Sequence, residues 1–149
     1  MEKISKTNAE GYQDPTAYQA LMRIEMEKEK AVKAKGRRYR PFVYICSPYS
    51  GDTVANVESA CRYSRFAADQ GFIPLAPHLL FTRFLNDSVR TERELGLLFG
   101  KALMGICREL WVFGERISDG MLGEMERAKR KGYRIRYFSN DCKEIESGR

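Results

Sequence analysis

The chain has one histidine and four cysteines among 149 residues, and no two cysteines stand in a C-x-x-C pair. Cys46, Cys61, Cys107 and Cys142 are scattered, so the clustered soft ligands of a zinc site are missing and no metal is expected. A disulfide framework is equally unsupported, and Cys46 and Cys107 sit among apolar residues as buried thiols do. No stretch approaches the roughly 18 apolar residues that a membrane span needs. The opening Met1-Glu2-Lys3-Ile4-Ser5-Lys6 has charge but no apolar region behind it, which shows no signal peptide. The expectation is a cytoplasmic protein with no membrane partner. The Gly-Lys-Ser/Thr ending of a P-loop and the G-x-G-x-x-G dinucleotide fingerprint are both lacking, and no cofactor is expected.

What is present suits one compact domain: 43% of the residues are apolar. The formal charge of +6 comes largely from Lys28 to Arg40 and from Arg127 to Arg136. Those stretches read either as solvated helix faces or as a positive field around a pocket for an anionic ligand such as a nucleotide phosphate. No familiar nucleic-acid-binding motif accompanies them, so duplex nucleic acid is not an expected partner.

The first forty residues differ in character from the rest. Asp14-Pro15 is a helix start, with aspartate as cap and proline at the first helical position. A helix is predicted over about 15–35, with Tyr18, Leu21, Met22 and Met26 near one face, free to pack on the same chain or on a partner. From residue 41 to 139 apolar strand-like runs alternate with amphipathic stretches. Strands are predicted at Phe42–Cys46, Phe72–Ala76, Leu110–Phe113 and Arg134–Phe138, and Pro74 argues that the second lies at a sheet edge. Helices are predicted at Thr53–Gln70, Glu92–Cys107 and Gly120–Lys131, with 77–89 as loop. Val54, Val57, Cys61, Ser64, Phe66, Ala67 and Ala68 are the expected apolar positions of the first, and Leu95, Leu98, Phe99, Leu103 and Ile106 those of the second. The alternation gives an α/β fold: a three-layer, flavodoxin- or Rossmann-like parallel sheet with helices on both faces, plus the appended N-terminal helix. Residues 140–149 form a polar tail, expected to be frayed or loosely docked.

Two loops at the carboxyl edge of this sheet can carry chemistry. The first is Cys46-Ser47-Pro48-Tyr49-Ser50-Gly51-Asp52, whose small and hydroxyl residues let the backbone approach a ligand ahead of a helix N-terminus. A simple tight turn explains it as well. The second is Gly114 to Glu124, where Ser118 or Asp119 can cap a helix and Gly120 permits a close approach. Glu124 is placed in the first turn of that helix, where the dipole would lower its pKa and keep it ionised as a nucleophile. A well-made helix alone also accounts for much of this pattern, because Lys129, Arg130 and Lys131 complement its other end.

Together, Val43-Tyr44-Ile45-Cys46-Ser47-Pro48-Tyr49, Asn56, Ala76-Pro77-His78 and Ser118-Asp119-Gly120-Met121-x-x-Glu124-x-x-x-Ala128-x-x-x-Gly132 resemble the nucleoside 2-deoxyribosyltransferase-like superfamily. The nearest likeness is to an uncharacterised branch of phages and mobile elements, over residues 41–139. The resemblance implies cleavage of the N-glycosidic bond of a nucleoside or nucleotide, with Glu124 as nucleophile and Tyr44 as the group that positions it. It implies a ligand held by the loop Cys46 to Asp52, by Asn56, and by Ser118, Gly120 and Met121, with Ser47, Ser50 and Ser118 matching phosphate-holding positions. It also implies a homo-oligomer whose subunits share sites. The transferases carry a further aspartate before the third strand, and Gly100-Lys101-Ala102-Leu103-Met104-Gly105 has no acid there. Asp119 and His78 are the substitutes as proton donors. That departure favours hydrolysis over deoxyribosyl transfer. It leaves two other readings open: a binding protein that sequesters a nucleotide-derived signal, and an interaction protein that acts through its N-terminal helix.

Overall fold

Alternating side chains along the first strand decide how the sheet is buried. In the computed structural model, which describes residues 15–36 and 39–146, β1 (Phe42–Cys46) sends Tyr44 and Cys46 to one face and Val43 and Ile45 to the other. The strand β3 (Glu109–Phe113) does the same with Leu110 and Val112 against Trp111 and Phe113. Period-two alternation with both faces apolar is the pattern of a central strand covered on both sides.

The remaining elements are α2 (Thr53–Asp69), β2 (Ile73–Leu75), α3 (Pro77–Leu80) followed by a 3-10 turn at Phe81–Arg83, α4 (Arg90–Met104), α5 (Asp119–Arg130), β4 (Arg134–Phe138) and β5 (Glu144–Ile145). The sheet runs β2-β1-β3-β4-β5. Its first four strands are parallel, and β5 is antiparallel to β4. Pro74 lies on β2, the strand at one end, where a missing N–H costs no ladder bond. Met104 of α4 and Met121, Met125 and Ala128 of α5 cover the Tyr44 face. Tyr63, Phe66 and Ala67 of α2 cover the opposite face, where Tyr63 stacks on Phe113 at 4.3 Å between ring centroids. No helix among the described residues is long and apolar enough to cross a membrane.

The N-terminal helix α1 (Pro15–Gly36) belongs to a unit that ends at Tyr39, and the sheet unit begins at Arg40. Leu21, Met22 and Met26 are exposed on α1. The expected cap, Asp14, falls outside the described residues.

The sequence-based expectations fail in four places. Within the described residues the tail is not loose: it turns at Ser139, whose N–H donates to the Lys143 carbonyl at 2.9 Å, and returns as β5. Arg136 then grips Glu144 with two bonds of 2.9 and 2.7 Å. A two-residue strand held by one turn and one ion pair leaves no periodic trace in so polar a stretch. The expected loop 77–89 contains α3 and the 3-10 turn, started by Pro77 at the first helical position and stitched by the Thr82 hydroxyl, which donates to the His78 carbonyl at 2.6 Å. On α2 the buried positions are Ala60, Tyr63 and Ala67, while Val54 and Cys61 are exposed. The large Tyr63 ring sets the inward direction and the two alanines let the helix close in. On α4 the expected Leu95 and Leu98 are exposed, as is Ile106 beyond its end, and the buried residues are Gly100 and Met104.

Candidate active site

The carboxyl ends of β1, β2 and β3 open onto a cleft of about 660 Å³. Its wall comes from the loop after β1 (Ser47, Tyr49, Ser50), from Pro77 and His78 of α3, and from Glu92, Arg93, Gly96 and Gly100 of α4. The segment after β3 supplies Arg116 to Met121, and α5 supplies Gly123, Glu124 and Arg127. Gly114, at the end of β3, turns the chain into that segment with φ +97, a conformation only glycine adopts without strain.

Ser118 is the residue that caps α5: its hydroxyl accepts from the Met121 N–H at 3.3 Å. Asp119 is therefore the first helical residue and Glu124 the sixth, in the second turn instead of the first. The helix dipole fades within the first turn, and the expected lowering of the Glu124 pKa is reversed. Burial pushes this carboxyl above its ordinary value of 4.5, against the opposing pull of the Cys46 thiol, the Tyr44 hydroxyl and the Arg127 charge.

The two oxygens of Glu124 differ. Oε1 accepts from the Tyr44 hydroxyl at 2.8 Å, while Oε2 is buried and has no hydrogen-bond partner. Tyr44 is itself buried, and burial together with the neighbouring carboxylate drives its pKa far upward, so the phenol remains a donor. The Cys46 thiol is pushed up by burial and then by Glu124, and its Sγ lies 3.9 Å from the Met121 carbonyl. Such a thiol stays protonated and is a poor nucleophile.

The first loop divides into wall and brace. Ser47 is buried in the wall with its hydroxyl unpartnered, and Tyr49 and Ser50 stand beside it. Cys46, Pro48, Gly51, Asp52 and Asn56 do not line the cleft. Asp52 caps α2 by accepting from the Ala55 N–H at 3.1 Å. The Asn56 amide donates to the carbonyls of Tyr49 and Ser50 at 2.9 and 3.1 Å and so fixes the loop's shape.

His78 is also a brace. Its Nε2 lies 3.1 Å from the Ser47 carbonyl, which can only accept, so Nε2 carries the proton. Its ring stacks on Tyr49 at 4.9 Å, and burial lowers its pKa below 6.5. A neutral imidazole whose one proton is already committed does not suit the proton-donor role expected of it. Asp119 is exposed on the cleft wall.

Reading the sequence did not single out Glu92, Arg93, Gly96, Gly100, Arg116 or Arg127. Arg127 follows Glu124 by three residues on one helix, a spacing that puts them on one face and was open to inspection. The wall holds three arginines, Arg93, Arg116 and Arg127, against four acids, Asp87, Glu92, Asp119 and Glu124. The chain's positive excess is therefore not gathered at this cleft. Among the described residues no three His, Cys, Asp or Glu side chains are grouped to hold a metal ion.

The cap gives a direct test of how α5 is anchored. Ser118→Ala removes the acceptor for the Met121 N–H and should cost about 1 kcal/mol. Thermal unfolding should show a drop of a few degrees, and an unchanged Tm would mean that the helix start is held by something else.

No curated protein matches the chain. A family model described as "Domain of unknown function (DUF7768)" matches residues 41–138. Among solved structures the fold is similar to that of a 2-deoxyribosyltransferase from the psychrotolerant bacterium Bacillus psychrosaccharolyticus, at a TM-score of 0.57 and 14% identity. The likeness covers 70% of this chain and 77% of that one. That protein is described as a biocatalyst for the industrial synthesis of antiviral and antitumoral nucleosides. At this identity the shared property is the flavodoxin-like fold.

Proposed function

This chain belongs to the DUF7768 family, and we propose that it cleaves the N-glycosidic bond of a nucleoside or nucleotide, with Glu124 as nucleophile and Tyr44 as the residue that holds it. The carrying observation is the asymmetry of Glu124. One oxygen is fixed by Tyr44 at 2.8 Å, the other is buried with no hydrogen bond of ordinary geometry, and the residue lines the cleft. With only the weak donor of the Cys46 thiol pulling on this carboxyl besides Tyr44 and Arg127, burying that oxygen is costly in a structure that uses it only for packing. It is what attack on an electrophilic carbon requires.

In this reading Oε2 forms a bond to the anomeric carbon as the bond from that carbon to the base nitrogen breaks. The electron pair leaves with the base, which takes a proton from Asp119 on the cleft wall. Water then attacks the anomeric carbon, gives a proton back to Asp119, releases the sugar and restores the Glu124 carboxylate, the sequence of a retaining glycosidase. The transition state is cation-like, so the nearby carboxylate also stabilises it electrostatically. Ser47, Ser50 and Ser118 are the hydroxyls this reading assigns to a phosphate. Hydrolysis is preferred to deoxyribosyl transfer because α4 brings glycine, not an acid, next to Tyr44. A homo-oligomer with shared sites belongs to the same reading, and the exposed Leu95, Leu97 and Leu98 of α4 offer it a surface.

The test is incubation with a panel of ribo- and deoxyribonucleosides and their 5′-monophosphates, followed by chromatography of the bases. Free base from at least one class is the expected result. Tight binding with every ligand recovered intact would replace catalysis with sequestration. Neither binding nor release would end both readings and leave an interaction role for α1.

A further inference from the structure

Eight of the nine described glycines of the sheet unit fall into two groups, and the ninth, Gly105, ends α4 outside the cleft. Gly51, Gly71, Gly114 and Gly132 have positive φ, so their backbones account for them, and none lines the cleft. Gly96 and Gly100 on α4 and Gly120 and Gly123 on α5 lie inside helices, and all four line the cleft. No backbone conformation calls for them. A Cβ at Gly96 would meet only Leu85 Cδ1, at 3.6 Å, and at Gly123 it would meet nothing within 4 Å. At Gly100 it would lie 3.4 Å from the Tyr44 hydroxyl and 4.0 Å from Pro77 Cγ, both ordinary contacts. Glycine inside a helix is destabilising relative to alanine. These positions therefore retain a stability penalty that neither packing nor φ explains, on the wall of the same cleft as Glu124, whose Oε2 is buried and unpartnered.

We propose that Gly96, Gly100, Gly120 and Gly123 form a slot that admits the planar leaving base beside the Tyr44–Glu124 pair and sets how large that ring can be. Both helices cover the Tyr44 face of the sheet. A helix surface stripped of Cβ atoms is flat and apolar, which suits the face of a heteroaromatic ring better than a sugar hydroxyl or a phosphate. The slot deepens the N-glycosidase reading and rests on it for the identity of the ring. A bicyclic purine needs more of this cleared surface than a pyrimidine does, so purine substrates depend on it more.

The experiment uses the full chain and three variants, Gly100→Ala, Gly123→Ala and Gly132→Ala. Three measurements are made on each: Tm, kcat/KM for base release from purine and pyrimidine nucleotides, and calorimetric binding of free adenine. The two slot variants should gain about 2–4 °C in Tm. Each should lose about tenfold in kcat/KM on purine substrates and less on pyrimidine ones, and should bind adenine correspondingly more weakly, as expected when a small change of shape excludes a ligand. Gly132→Ala, at φ +74 and outside the cleft, should lose Tm and keep its kcat/KM. Gly123→Ala separates a blocked slot from a disturbed Tyr44, since its methyl group approaches no other side chain. A lower Tm for both slot variants would give the glycines a packing role and overturn the slot. So would adenine that binds all proteins equally, or none of them. If wild-type protein releases no base yet binds adenine and Gly100→Ala does not, the N-glycosidase reading falls and the slot stands.

Discussion

Glu124→Gln should lower kcat/KM for base release by at least about 10³-fold, the scale on which removal of a nucleophile acts. The amide keeps the volume of the side chain and an oxygen for the Tyr44 hydroxyl, but it cannot form the glycosyl ester. The same substitution should raise Tm at neutral pH, and that rise separates a catalytic residue from a structural one. Burial holds the folded-state pKa of Glu124 above its ordinary value of 4.5, so the folded protein binds this proton more tightly than the unfolded chain. The stabilisation linked to that proton is complete below 4.5 and is lost as the pH rises through the folded-state value. Above that folded-state value wild-type protein carries a buried charge that glutamine lacks. The Tm advantage of the variant should shrink toward zero as the pH falls below 4.5. Retained activity would remove Glu124 as nucleophile, and a variant less stable than wild type at neutral pH would make its carboxylate a structural anchor.

The gap between the expected and observed Glu124 marks how far the sequence was legible. The strand-helix alternation from Phe42 to Phe138 was open to reading because its central strands, β1 and β3, are nearly continuous apolar runs, and burial on both faces produces such runs. Pro74 even marked the edge strand. The pairing of Tyr44 with Glu124, 80 residues apart, has no signature in local periodicity. It came from the order of short motifs shared with a known superfamily. The dipole argument failed because Glu124 is the sixth helical residue with Ser118 as cap, and would be the fifth had Asp119 capped α5. On either count it lies past the first turn, outside the field of the helix N-terminus and in that of the core. The place of His78 was illegible for a different reason: it hangs on which of its nitrogens meets a carbonyl, a fact carried by the fold of the Ser47 loop. Gly96, Gly100 and Gly123 were passed over, since apolar periodicity ranks leucine above glycine for the inward face, whereas Gly120 was already read as permitting a close approach. On α4 the buried residues are Gly100 and Met104.

Tyr44→Phe should lower kcat/KM by roughly 10–100-fold near neutral pH, the range expected when a hydrogen bond to a charged group is removed from a buried site. The loss should depend on pH, and its direction follows from what the hydroxyl does to Glu124. Nucleophilic attack needs the ionised carboxylate, so wild-type kcat/KM should fall on the acid side along a limb whose midpoint lies above 4.5. The Tyr44 hydroxyl donates to the charged form and thereby holds that midpoint down against burial. With phenylalanine in its place, the midpoint should move up further. The ratio of variant to wild-type activity should be lowest in acid and recover partly as the pH rises. Whatever deficit persists on the alkaline plateau measures the orienting role of the hydroxyl, because charge is no longer limiting there. Two profiles that superimpose after vertical scaling would confine Tyr44 to orientation. An unchanged rate at every pH would mean that the 2.8 Å contact plays no part in the chemistry. The burial of Tyr44 makes the tuning role the stronger expectation. Away from water no solvent donor can stand in for the missing hydroxyl, and the carboxylate must either lose its charge or bear the full cost of keeping it.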